Sequence, residues 1–366
     1  MNSAVQAERK TMMVAGATGI VGSAVIDYFT AMPDWNVVAI SRRPVAAGPR
    51  LRHIAADLTD AGSCKRAVQA AGKVTHLIYT ALYEKPDLVA GWRDQDQMDV
   101  NGTMLKNLLD ALVSDAPGLR QVTVMQGTKA YGLHSTQVPV PAKERWARAQ
   151  HEVFYWQQED LLRERQPDSA WTYTILRPQL ILGNAVGSPM NVIGAIGVYA
   201  AVMRELGRPL SFPGGGRYVH AASDSRLIAK VAHFAATHDA AANETYNVVN
   251  GDMLVWQDIW PSIAAHFGME LGEPTPLRLA QEMPRYEAVW QALAKKRGLN
   301  QMPLTALLGS SWQFTDRTFG YGLEAPLDRI MSPIKLYQAG FEGCVDTEDA
   351  LLYWLGRMQE ARLLPD

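Results

Sequence analysis

The sequence predicts an α/β protein, a doubly wound parallel sheet carrying a smaller, mainly helical lobe. Three observations lead there. Short apolar runs alternate with helical patterns through the first half, a glycine-spaced turn joins the first run to the first helix, and beyond about Gly183 the chain turns mainly helical. The runs Met12–Ala15, Val37–Ile40, His53–Ala56, Val74–Tyr79 and Val122–Met125 each read as a buried strand bounded by turn residues. Helical stretches at Val21–Ala31, Ser63–Ala71 and Met98–Leu112 lie between them. Parallel neighbours need such crossovers. Trp171–Leu176 continues the pattern after a long helix expected from about Ala142 to Arg165, and Tyr246–Val249 reads as a late strand returning to the sheet. Asn184–Gly216 is rich in Gly and Pro around one apolar helix, and from Trp256 onward Trp and Leu recur at helical spacing. The expected organisation is a core over residues 1–183, with a returning segment at about 213–250, and a helical lobe over 184–366.

Composition narrows the function. With 48% hydrophobic and 20% charged residues, the chain of 366 is neither disordered nor of low complexity. Lys and Arg (35) nearly cancel Asp and Glu (37), so no large field favours nucleic acid or an anionic membrane. No apolar stretch approaches the roughly 18 residues of a membrane-spanning helix; Val192–Met203 comes nearest and stops at Arg204. The opening MNSAVQAERK lacks the apolar segment of a secretory signal and reads as a short frayed tail. Two cysteines, Cys64 and Cys344, exclude a disulfide framework, and a reducing cytoplasm is expected. The eight histidines show no metal-ligand spacing with Cys or carboxylates, so no metal is expected.

The most specific local signal is Val14-Ala-Gly16-Ala-Thr18-Gly19-Ile20-Val21-Gly22, after the first strand and before a helix. A tight turn there brings backbone N–H groups and a helix N-terminus against a pyrophosphate, where side chains would obstruct the approach. The G-x-x-G-x-x-G spacing resembles the extended short-chain dehydrogenase/reductase superfamily, which implies a Rossmann core. The second strand ends in Ser41-Arg42-Arg43, where an NAD enzyme would place an acidic residue for the ribose hydroxyls. A hydroxyl and two guanidiniums suit a 2′-phosphate instead, so NADP(H) is the expected cofactor. In that superfamily, the positions of Asp57-Leu58 after the third strand touch the adenine, and those of Thr80-Ala81 after the fourth line the cofactor ribose.

None of the thirteen tyrosines begins the Tyr-x-x-x-Lys dyad usual in this superfamily. A lysine is available elsewhere. The fifth strand leads into Gln126-Gly127-Thr128-Lys129-Ala130-Tyr131, and a later helix holds Phe154-Tyr155-Trp156-Gln-Gln-Glu159-Asp160. This pairing resembles the progesterone 5β-reductase and iridoid synthase family, whose lysine lies in Thr-Gly-Arg-Lys-His-Tyr and whose tyrosine lies in Asn-Phe-Tyr-Tyr-x-x-Glu-Asp. The likeness spans the chain. Asn101-Gly-Thr-Met104-Leu105-Lys-Asn107 matches an Asn-x-x-Met-Leu-x-Asn helix, and Arg177-Pro178 with Ile181 and Gly183 matches an Arg-Pro-x-x-Ile-x-Gly turn beside the nicotinamide. Pro209–Gly214, Asn247–Gly251, Trp256–Phe267 and Gly340–Cys344 continue it.

The resemblance implies an enzyme that reduces activated C=C bonds with NADPH. Tyr155 would stabilise the enolate oxygen, and Lys129 would lower the phenol's pKa and hold the nicotinamide ribose. Tyr83, Tyr131, Phe154, Trp156 and Tyr199 are candidates for an apolar substrate pocket. Cys344 and the loop around His134 stand where plant members carry pocket phenylalanines, which predicts a roomier pocket and a size-selecting wall at Cys344. A carbonyl reductase and a catalytically silent NADP-sensing protein are the alternatives. The partner expected is a small enone, with no nucleic acid and no membrane, and a homodimer stays open.

Overall fold

The computed structural model describes residues 9–133 and 138–366, so the first eight residues of the expected tail and His134 lie outside the described residues, while Lys10, expected in that tail, opens the first strand. The chain begins β1 (Lys10–Ala15), α1 (Ile20–Ala31), β2 (Trp35–Ser41), β3 (Leu51–Ala55), α2 (Ala61–Ala71), β4 (His76–Tyr79), a short α3 (Leu88–Gly91), α4 (Gln95–Asp115) and β5 (Gln121–Met125). It continues through α5 (Phe154–Arg165), β6 (Thr172–Pro178), β7 (Ile181–Leu182), α6 (Val192–Glu205), β8 (Ser223–Asp224), α7 (Ser225–Thr237) and β9 (Glu244–Val248). The remainder is helical: α8 (Trp256–His266), α9 (Leu279–Glu282), α10 (Glu287–Arg297), α11 (Leu304–Leu308), α12 (Ser311–Thr318), α13 (Ile334–Gln338) and α14 (Thr347–Glu360).

Seven strands form one sheet in the order β3-β2-β1-β4-β5-β6-β9, with every neighbouring pair parallel. All seven expected strands are present. The order reverses between β1 and β4, so the carboxyl ends of these strands open a crevice there, which is where doubly wound sheets bind ligands. Helices α2 and α4 cover one face, with Leu105, Leu108 and Leu112 against Val68 and Leu77; α1 and α7 cover the other around Phe29, Trp35 and Ile228. With both faces covered, the central strands β1 and β4 are buried along nearly their whole length rather than on alternate residues. Helix α6 is buried on nearly every side and forms the axis of the second lobe, packed by α8, α10, α12 and α14. Among the described residues no helix is long and apolar enough to cross a membrane.

The long helix expected from Ala142 is not there. Only α5 is helical; residues 142–153 run irregularly because their backbone is engaged elsewhere. The Ala142 N–H donates to Ile330 O (2.8 Å), and its carbonyl accepts from Ser332 N (2.9 Å) and Asn247 Nδ2 (3.1 Å). Tertiary partners outweigh the helical propensity of that segment.

Candidate functional site

At the carboxyl edge of the sheet lies a cleft of about 800 Å³, walled by the strand-to-helix turns on one side and by the lobe on the other. Gly16, Thr18, Gly19, Ile20 and Val21 line its first end. Gly16 adopts φ +83°, and a Cβ there would stand 2.6 Å from Ala81 N, so backbone meets backbone across the turn. Gly22 packs inside α1, clear of the cleft wall. The amino end of α1 begins at Gly19 with no side-chain cap, leaving its N–H groups for an anion. These features fit a dinucleotide's pyrophosphate.

Beyond β2, Ser41, Arg42 and Arg43 reach the same end. The Ser41 hydroxyl donates to Arg43 O (2.6 Å), and the Arg43 guanidinium spans to Val186 O (3.0 Å) and Thr18 Oγ1 (3.3 Å). Arg42 is exposed. Asp57 is held below the usual carboxylate range by the Thr59 N–H and hydroxyl, with Arg42 adding to the effect. Leu58 lines the wall, its carbonyl bound by Asn107 Nδ2 (3.0 Å). Thr80 and Ala81 line the middle of the cleft.

Lys129, Tyr155 and Pro178 line the far end. Lys129 follows β5 in a single 3-10 turn, its Nζ 4.1 Å from the Trp92 ring centroid and 3.8 Å from Glu84 Oε1. Burial pushes it down to about 8, with Glu84 opposing and Arg317 assisting. Tyr155 is in the first turn of α5. Burial and then Glu84 push its phenol above the ordinary range, and Arg177, rather than the expected Lys129, is the cation that opposes the rise. A Cβ on Gly127 would stand 3.3 Å from the Tyr155 hydroxyl and 3.4 Å from Pro178 O, so the absence of one leaves room for that hydroxyl.

A buried network fixes this geometry. Arg177 Nη2 donates to Glu159 Oε1 (2.7 Å) and Arg177 Nε to Gln126 Oε1 (3.3 Å), while Gln126 Nε2 donates to Tyr155 O (3.2 Å). Across the cleft, Asn101 binds both the N–H and the carbonyl of Tyr83 (2.9 Å each), and Gln97 Nε2 donates to Glu84 Oε2 (2.6 Å).

Of the expected pocket residues, Tyr83 and Phe154 line the cleft and four do not. Tyr131 turns inward, its hydroxyl donating to Asn247 Oδ1 (2.7 Å) under Arg177. Trp156 is held on the other side of α5 by His151 O (2.9 Å) and Arg148. Tyr199 lies in the lobe core, bound to Ser211 O (3.0 Å), because α6 is enclosed all round. Cys344 is exposed beside Gly251 and forms no wall of the cleft. The sequence reading missed Glu84, Trp92, His220, Arg317 and Arg329. Nothing in the sequence distinguishes a buried acid from a surface one, and the last three come from later in the chain without a local motif. No group of three or more metal-ligating side chains occurs among the described residues.

Comparison with known proteins adds the family. A model described as a PRISE-like Rossmann-fold domain matches residues 13–365. The chain is 30% identical to a 3-oxo-Delta(4,5)-steroid 5-beta-reductase of Arabidopsis thaliana, over 98% of this chain and 94% of that one. It is 29% identical to an (S)-8-oxocitronellyl enol synthase of Nepeta racemosa, over 96% and 91%. A short chain dehydrogenase of Penicillium aethiopicum is 30% identical over 97% and 99%. Among solved structures, the Bordetella bronchiseptica enzyme WbmG in complex with NAD and UDP shares the fold, with a TM-score of 0.66, 16% identity and 98% and 97% coverage.

Proposed function

The chain belongs to the PRISE-like Rossmann-fold family and is an oxidoreductase, and we propose that it reduces the C=C bond of α,β-unsaturated carbonyl compounds with NADPH. One observation carries the reading: a buried tyrosine and a lysine whose side chain is only 12% exposed stand at the far end of a cleft whose other end is built for a dinucleotide. Gly16, Gly19 and the start of α1 would hold the pyrophosphate. Ser41 and Arg42 would hold a 2′-phosphate, with no carboxylate after β2 to favour NADH. Lys129, still largely a cation at neutral pH, would hold the ribose hydroxyls.

When bound, NADPH supplies the hydride that forms the new C–H bond at the β-carbon. The C=C electron pair moves to the carbonyl side, and negative charge gathers on its oxygen. Tyr155, kept protonated by its raised pKa, donates a hydrogen bond there, stronger to the enolate than to the ground-state carbonyl. Water delivers a proton to the α-carbon. Enone, NADPH and a proton give saturated ketone and NADP⁺.

Incubation with NADPH and cyclohexenone, followed by NMR and mass analysis, tests the reading. Cyclohexanone is the expected product. Cyclohexenol would instead establish attack at the carbonyl, and NADPH binding without turnover of any enone would leave a sensor.

A further inference from the structure

Among the described residues, the lobe wall of the cleft carries positive charge that no carboxylate answers. Arg317, from α12, and Arg329, from the loop before α13, both line it. Arg317 Cζ lies 5.4 Å from the Trp92 ring centroid and Arg329 Cζ 5.6 Å from that of Tyr218. Lys129 shares the Trp92 ring, which joins the lobe wall to the reacting end. The acid at that end, Glu84, is already engaged by Lys129, Trp92 and Gln97. Among the described residues neither arginine has an ion-pair partner. Burial and the neighbouring Arg329 together push Arg317 down to about 10, the direction expected when two cations confront each other away from water.

Polar atoms without partners accompany them. His220 Nε2, Gln179 Oε1 and Arg329 Nε are buried without a hydrogen bond, on three residues that line the same cleft, and Gln179 Nε2 donates to Arg329 O (2.7 Å). His220 and Gln179 are 1% and 4% exposed. A hydrocarbon enone filling this end would leave two guanidiniums dehydrated and unpaired, which is unfavourable. A carboxylate would meet both, and the planar arginine fork is suited to it.

Resting on the enone reading, we propose that the natural substrate is an anionic enone, with a carboxylate, separated from the reacting double bond by a short chain, seated between Arg317 and Arg329. The cofactor phosphates are a second source of negative charge, but the start of α1 and Arg42 serve them at the opposite end of the cleft.

The test uses a methyl ketone enone extended from its β-carbon by a short chain ending in a carboxylate, beside the same compound as its methyl ester. With the whole protein and NADPH, the acid should exceed the ester at least tenfold in kcat/KM, about 1.4 kcal/mol. Arg317→Gln and Arg329→Gln should each bring that ratio towards one, and the corresponding Lys variants should keep part of it. Calorimetry of the saturated acid and ester on the NADP⁺ complex reads the same preference without turnover. Preferential binding of the acid with neither enone reduced would sink the C=C reading and leave the anion site standing. Equal binding and turnover of acid and ester would overturn the anion site alone. So would a preference that survives both Gln substitutions, or an Arg317→Gln variant that loses NADPH affinity while keeping the ratio.

Discussion

The Tyr155 hydroxyl lies where a Cβ on Gly127 would crowd it, and the nearby Glu84 joins burial in keeping its proton on. Tyr155→Phe removes one oxyanion donor, worth about 3 kcal/mol, so kcat for a weakly activated enone should drop more than a hundredfold. NADPH affinity, read by fluorescence titration, should change less than twofold; full activity in the variant would assign the chemistry elsewhere. Gly127→Ala sets a methyl 3.3 Å from that hydroxyl, so kcat should fall while circular dichroism and melting stay near native. Lys129 belongs to a different pH range. Its ammonium form dominates below about 8, so kcat/KM should decline as pH rises through that value, and Lys129→Met should be low and flat across it. A native profile that stays level to pH 10 would contradict a role for the charge. Lysine and tyrosine were legible in the sequence because each sits in a short patterned segment. Glu84 was not, since its burial depends on Gln97 and Trp92 closing over it from α4 and the α3 region. Cys344 misled because position along a motif says nothing of which way a loop faces. Cys344→Phe should therefore leave the ratio of rates for bulky and small enones unchanged.

At the scale of elements, the site is held by two side-chain clasps across long stretches of chain. Asn101, fully buried on α4, receives the Tyr83 N–H and donates to the Tyr83 and Gln97 carbonyls. Asn101→Leu would strand both backbone groups of Tyr83, at a cost of about 2–3 kcal/mol. Urea unfolding measures it: an unchanged midpoint would mean that water takes over the bonds. The second clasp, Arg177 to Glu159, ties β6 to α5 one turn beyond Tyr155. Strands and crossover helices were readable from apolar runs and helical spacing, because a sheet covered on both faces demands such runs. The stretch 142–153 was misread as helix for the complementary reason. Its composition favours helix, and contacts of Ala142 and Glu144 with residues near 247 and 331 hold it in an irregular path instead.

Over the whole molecule, both lobes bury imidazoles that resist protonation. His76, between Thr75 and the Trp35 ring under the sheet, is pushed down to about 4, mainly by burial with Lys10, Arg120 and His233 adding. His220, stacked on Tyr218 at the lobe wall, is pushed down to about 3 by burial and Arg329. An unfolded chain takes up protons at these rings below about 6.5, whereas the native state refuses them until about 4 or lower. The unfolded state therefore binds more protons across that window, and stability falls as pH drops through it. Between pH 7 and pH 5 the loss should be about 2 kcal/mol for His76 alone. Urea denaturation at the two values measures it, and His76→Asn, which keeps a polar group beside Thr75 but does not titrate, should lose correspondingly less. The same loss in native and variant protein would assign the acid lability to carboxylates and leave His76 as packing only. Because His76 opens β4 and His220 lines the cleft, with different groups acting on each, the double variant with His220→Gln should flatten the dependence further; additivity is expected for groups that share no partner.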